Sequence, residues 1–226
     1  MRCPANGSTA MKTFAVPFRT YSLSSLLFGS ADIKVQVQEL SVQEREDALL
    51  QAYRQPVRAK GGFPYTCAAI VLDPEVDRTY FHLIYATRNR KGVEVFKDVE
   101  KKATQLMEQA RAEAKQRKRV KRTGQPELFS PEFSVETHPV DKLREHYLAC
   151  AKQAVLDRFQ SKRRVAYEEL WDLALSLPLV WESDLKEWIH HWQTEGRISL
   201  EGLEPRQRVP QCEQGITVVW NADASS

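Results

Sequence analysis

The stretch from Tyr65 to Gly92, YTCAAIVLDPEVDRTYFHLIYATRNRKG, constrains the fold of this chain more than any other. Two short runs rich in Ala, Ile, Val, Leu, Tyr and Phe, Tyr65 to Leu72 and Thr79 to Thr87, flank a polar turn. Runs of that length and composition between Asp, Pro and Asn clusters predict a pair of strands. Their near-continuous apolarity predicts burial on both faces, as in an α/β sheet. Asp73 and Asp77 then read as turn residues, Cys67 as a small buried hydrophobe and His82 as a hydrogen-bonded core or edge histidine rather than a catalytic base.

With 226 residues there is room for one large domain or two small ones, and 42% hydrophobic with 28% charged residues is a globular composition. A net charge of +3 implies no nucleic-acid partner by itself, so the distribution of charge matters more than its sum. Cys3, Cys67, Cys150 and Cys212 form no C-x-x-C pair. This spacing is neither a disulfide framework nor a zinc motif and suits a reducing cytoplasm. No apolar run approaches the ~20 residues that span a bilayer, and no apolar segment follows the N-terminal basic residues as in a signal peptide. A cytoplasmic protein without a membrane partner is expected.

Residues 1–13 are expected to be disordered. Leu23 to Phe28 reads as a short helix and Ile33 to Val37 as a half-exposed strand or connector. Ser41 and Glu44 form a capping box that opens a helix to about Tyr53, with Leu49, Leu50 and Tyr53 inward. After Gly92 a long helix carries Val95, Phe96, Val99, Ala103, Leu106, Met107 and Ala110 as one apolar stripe expected to face the core. Arg111, Lys115, Arg117, Lys118, Arg119, Lys121 and Arg122 then face only Glu113. Such a run is a solvated helix end or a surface that tracks phosphates. Residues 123–137, with two prolines and no period, read as an interdomain linker.

The second half predicts three helices and two strands. The first helix starts at Thr137 and Pro139 and buries Val140, Leu143, Tyr147, Ala151, Val155 and Phe159. A basic link, Ser161 to Arg164, leads to a second, with Tyr167, Leu170, Trp171, Ala174 and Leu177 inward and Pro178 as its stop. The third has Ser183 as N-cap, buries Leu185, Trp188, Ile189 and Trp192, and ends at Gly196. Arg197 to Leu200 and Ile216 to Trp220 follow as strands around a turn-rich loop. That order is the order of a winged helix-turn-helix, over 138–222. Its third helix would present Asp184, Lys186, Glu187, His190, His191, Gln193 and Thr194, and its wing loop Arg206 and Arg208 against Glu201, Glu204 and Glu213. The candidate nucleic-acid contacts are therefore Lys186, His190, Arg206 and Arg208, with Arg117, Lys118 and Arg119 from the long helix. Protein docking or a purely structural role fits the mixed charge of the third helix as well. His190 and His191 point about 100° apart on a helix and cannot chelate one ion, and no metal set is evident. No Gly-rich cofactor turn, G-x-S-x-G elbow, Walker motif or H-E-x-x-H occurs, so no catalytic residues are assigned.

Four places resemble the three-Cys-motif partner protein family (TcmP): Leu27-Phe28-Gly29; Leu49-Leu50-Gln51-Ala52-Tyr53-Arg54; Tyr80 to Gly92, YFHLIYATRNRKG; and Gly124-Gln125 with Leu128-Phe129. The tail is similar to the GMT-like winged helix that closes such proteins. The resemblance implies an α/β fold: the C-terminal part of a Rossmann-like, S-adenosylmethionine-dependent methyltransferase domain over 14–122, ending in an antiparallel strand pair, and then an α+β winged helix. It implies a partner with a three-cysteine, radical-SAM-like motif. The family's cofactor turn is missing and Asn89 stands where relatives would carry a histidine, so no cofactor-binding residue transfers. S-adenosylmethionine is implied for full-length members only. The function expected is that of a truncated or divergent methyltransferase-like protein without autonomous catalysis, binding nucleic acid or protein through its winged helix. The alternatives are a small DNA-binding regulator, or one half of a split methyltransferase. A sheet edge stripped of parallel neighbours would further predict pairing with another chain.

Overall fold

The structure is a computed structural model, which describes residues 14–15, 39–123, 139–203, 207 and 209–221. It is a mixed α/β architecture with five helices and two three-stranded antiparallel sheets among the described residues. In chain order these are β1 (Phe14–Ala15), α1 (Val42–Gly61), β2 (Tyr65–Leu72), β3 (Thr79–Thr87), α2 (Arg90–Thr123), α3 (Pro139–Ser161), β4 (Arg164–Ala166), α4 (Tyr167–Leu175), α5 (Glu182–Thr194), β5 (Ile198–Glu201) and β6 (Thr217–Trp220). The helix expected at Leu23 to Phe28, the strand at Ile33 to Val37 and most of the 123–137 linker lie outside the described residues. No described helix is long and apolar enough to cross a membrane.

The two strands read from the sequence form with the expected bounds and pair antiparallel, Cys67 opposite Tyr85 and Ala69 opposite Leu83. The turn is held by Asp73, whose carboxylate accepts the Glu75 and Val76 N–H groups and pairs with Arg78. Burial on both faces holds for β2 but not for β3, most of which is only half-buried. The sheet order is β1-β3-β2, so among the described residues β2 is an edge strand. Three of its backbone groups are met by side chains: Arg54 donates to Thr66 O at 3.1 Å, Lys97 to Ala68 O at 3.4 Å, and the Met107 sulfur accepts Leu72 N–H at 3.3 Å. Charged side chains laid along an edge blunt it against strand addition.

The Ser41–Glu44 capping box forms. Its helix runs past Tyr53 and through Pro56 to Gly61, where Gly62 ends it at φ 62°. Tertiary contact explains the extension, because Arg54 on the added turn is buried against β2. At the other end of the hairpin α2 already begins at Arg90, and Gly92 lies in its first turn. A Cβ on Gly92 would stand 2.8 Å from the Tyr85 hydroxyl and 3.0 Å from Thr87 Oγ1, so glycine lets the helix lie against β3.

The largest correction concerns α2. Val95, Val99 and Leu106, expected inward, are 53%, 57% and 65% exposed. The buried face instead carries Val93, Lys97, Glu100, Thr104 and Arg111, with Phe96 and Met107 packed beside it. Hydrophobicity misleads here because this face meets backbone as well as apolar side chains. Lys97 donates to Leu177 O at 2.5 Å and pairs with Glu100 at 2.8 Å, and Glu100 accepts Leu179 N–H at 2.9 Å. Residues 177–179 join α4 to α5, with Leu179 at φ 56°, so the buried ion pair serves backbone groups that no helix or sheet could satisfy.

In the second half the inward residues expected of α3 and α4 are buried or half-buried. Phe159, Trp192 and Trp220 meet edge-on or stacked at 5.1–6.2 Å, tying α3, α5 and β6 together. Two details differ from expectation. The basic link ends in a strand rather than running straight into a helix: β4 starts at Arg164, the link's last residue, and pairs with β6, so the sheet has the order β4-β6-β5 rather than two strands. A three-residue strand leaves too short a pattern to read. The N-cap of α5 is Trp181, not Ser183, and Asp184 accepts the Trp181 N–H at 2.8 Å. Both halves contribute to one hydrophobic cluster, with Cys67, Ile70, Leu72 and Val93 joined to the buried side chains of α3 to β6.

Candidate functional site

The basic run at the end of α2 divides in two. Arg111 is buried and paired with Asp77 of the β2–β3 turn, and Lys115 lies 3.3 Å from the same carboxylate. These two cations anchor the helix. Beyond them Arg117, Lys118, Arg119 and Lys121 are exposed. The helix rises 1.5 Å per residue, so the residues after Lys115 extend about 12 Å past the turn that Asp77 anchors, presenting cations in a stretch of sequence that holds no acidic residue.

The face of α5 is weaker ground for phosphate. Asp184, expected outward, is buried and paired with Arg144 at 2.7 Å, while that guanidinium lies 3.8 Å over the Trp181 ring. Lys186 is bound to Glu182 at 2.8 Å, four residues earlier. His190 is exposed, and His191 lies 3.3 Å from Glu195. Exposed on α5 are Glu187, His190, His191, Gln193 and Thr194, a polar strip whose one carboxylate, Glu187, is unfavourable to phosphate. Arg206 and Arg208 lie outside the described residues. The structure thus places Arg117, Lys118 and Arg119 on one helix end, and Lys186 and His190 on another element.

Two polar groupings that sequence patterns do not single out lie where the two halves meet. In the first, Arg90 lies over the rings of Tyr65 and Trp171, with its Nε 4.0 Å from Asp172. Burial pushes the Asp172 carboxyl up to about 6 against the pull of Arg90. In the second, α1 meets α3. His146 Nε2 lies 2.7 Å from Asp47 Oδ2 and 3.7 Å from Cys150 Sγ. The Tyr147 hydroxyl donates to Asp47 Oδ1 at 2.8 Å and accepts from Gln43 Nε2 at 3.2 Å. All three of Asp47, His146 and Cys150 are half-buried.

This second grouping is not a cysteine nucleophile with its base. One imidazole nitrogen faces both thiol and carboxylate, whereas a relay needs the two on opposite ring nitrogens. Burial, and then the Asp47 charge, push the Cys150 thiol up, away from the thiolate form that attacks. The His146–Cys150 spacing of four is visible in the sequence once the helix is drawn; Asp47, about a hundred residues earlier, is brought there only by the fold. No family model, curated protein or solved structure matches this chain.

Proposed function

We propose that this chain is a cytoplasmic, methyltransferase-like protein of the three-Cys-motif partner kind that binds nucleic acid through phosphates and does not catalyse by itself. In this reading β2, β3 and α2 correspond to the closing antiparallel pair and last helix of a Rossmann-like domain, and 139–221 are a winged helix-turn-helix. The order α3-β4-α4-α5-β5-β6 with the sheet order β4-β6-β5 supports the second assignment, and the hairpin running into a long helix supports the first. A three-cysteine, radical-SAM-like protein is the protein partner implied.

The observation that carries the nucleic-acid reading is the exposed cationic end of α2, Arg117, Lys118 and Lys121, in a stretch without an acidic residue. Cations of this kind bind phosphate without reading sequence. Duplex DNA affinity should fall steeply with salt. Replacing Arg117, Lys118 and Lys121 by Gln should reduce the slope of log K against log salt by about 0.9 for each phosphate no longer neutralised. Lys186→Gln should change neither slope nor affinity more than about twofold. A slope that moves with Lys186 and His190 and depends on DNA sequence would favour a sequence-reading regulator instead. Calorimetry with S-adenosylmethionine should show no heat of binding; a micromolar site would overturn the non-catalytic part.

A further inference from the structure

The α1–α3 junction holds three side chains whose donor atoms converge as ligands do. Asp47 oxygen, His146 Nε2 and Cys150 Sγ lie within 4.8 Å of one another. In tetrahedral zinc sites, with about 2.0 Å to nitrogen or oxygen and about 2.3 Å to sulfur, ligand atoms stand about 3.3–3.6 Å apart. The 3.7 Å between His146 Nε2 and Cys150 Sγ is already close to that spacing. The 2.7 Å between His146 Nε2 and Asp47 Oδ2 is a hydrogen bond that would open by about half an ångström to admit an ion at zinc-ligand distances.

Three further features point the same way. His146 and Cys150 are four residues apart on α3, the helical spacing at which two side chains share one ion. The Asp47 carboxylate is oriented by the Tyr147 hydroxyl on its other oxygen, itself held by Gln43, the outer support that metal-binding carboxylates have. The side chains of His146 and Asp47 are 34% and 27% exposed, which leaves an entry path and room for a fourth ligand from solvent.

We propose that Asp47, His146 and Cys150 form a site for a divalent first-row metal of zinc type, with water in the fourth position, clipping α1 to α3. A Cys–His–carboxylate set suits zinc: thiolate and imidazole favour it over magnesium or calcium, which take oxygen ligands. The ion replaces the thiol proton, which leaves to solvent.

The test uses the full chain and cobalt(II) as a spectroscopic stand-in. One equivalent should give a thiolate-to-cobalt charge-transfer band with intense visible bands of four-coordinate cobalt, and one equivalent of zinc should abolish both. Cys150→Ser should remove the charge-transfer band and Asp47→Asn should weaken binding, with far-ultraviolet circular dichroism reporting that each variant folds. Tyr147→Phe should lower metal affinity about 10-fold or more. Zinc should also slow alkylation of Cys150 in the unmodified chain while leaving Cys212 unchanged, a readout that needs no variant. Absence of the thiolate band, zinc binding that survives Cys150→Ser, or equal alkylation of Cys150 with and without zinc would each overturn the proposal.

Discussion

Burial takes the Asp172 carboxyl up from 3.8 to about 6, with Arg90 opposing, and takes the His82 imidazole down from 6.5 to about 4. The two act in opposite senses over one pH range. A raised carboxyl stabilises the fold below its unfolded value and loses that contribution as pH rises through the folded one. A depressed imidazole stabilises above its unfolded value and loses that contribution as pH falls through the folded one. Between about pH 4 and 6.5 acidification therefore strengthens the Asp172 contribution and weakens that of His82. Asp172→Asn should leave acid loss of stability steeper than in the parent chain, and His82→Gln should make it shallower. Denaturant midpoints measured at half-unit intervals decide this; parallel curves for all three proteins would contradict both shifts. His82 was legible from sequence as a core or edge histidine. Asp172 was not, because its shift comes from burial, which the fold decides, against the opposing charge of Arg90 that the fold brings near it.

Helix α2 shows how an element can be located correctly and oriented wrongly. Its apolar stripe and its buried face coincide only in part: Phe96 and Met107 pack inward, but Lys97 and Glu100 take the buried face to satisfy backbone at 177–179 while Val95, Val99 and Leu106 face outward. Each partner of the ion pair is almost fully enclosed, with side-chain exposures of 4% and 3%. Neutralising either partner leaves the other charge buried, and removing Lys97 also leaves the Leu177 carbonyl without its donor. Lys97→Met or Glu100→Gln alone should cost about 3–5 kcal/mol. The double variant should fall short of the sum by about 1–3 kcal/mol, since the second change removes a charge already stranded. Urea unfolding of the four proteins measures this, and costs that add within about 0.5 kcal/mol would show that the pair is not coupled.

Across the whole chain, the contacts that matter most join residues far apart in sequence. One cluster of buried side chains runs from Cys67 on β2 to Val218 on β6. The Lys97–Glu100 pair and the Asp47–His146–Tyr147 contacts cross the same boundary. Cooperative unfolding of the two halves follows. All five tryptophans lie between Trp171 and Trp220, so their fluorescence reports the C-terminal half, while far-ultraviolet circular dichroism reports every helix. The two probes should give one coincident transition. Separate midpoints would mean that the contacts at the boundary are too weak to couple the halves.

Local periodicity and end signals were enough to locate the hairpin from Tyr65 to Thr87, the Ser41 cap, the inward faces of α3 and α4 and the basic end of α2, because each depends on residues within a few positions of one another. Three things needed the tertiary structure. The extension of α1 to Gly61 depends on Arg54 reaching β2, the orientation of α2 depends on which backbone groups at 177–179 require partners, and the strand β4 exists because β6 lies beside it. The convergence of Asp47 with His146 and Cys150 belongs to the same class. Side chains about a hundred residues apart carry no local pattern, and only the packing of α1 on α3 makes them neighbours.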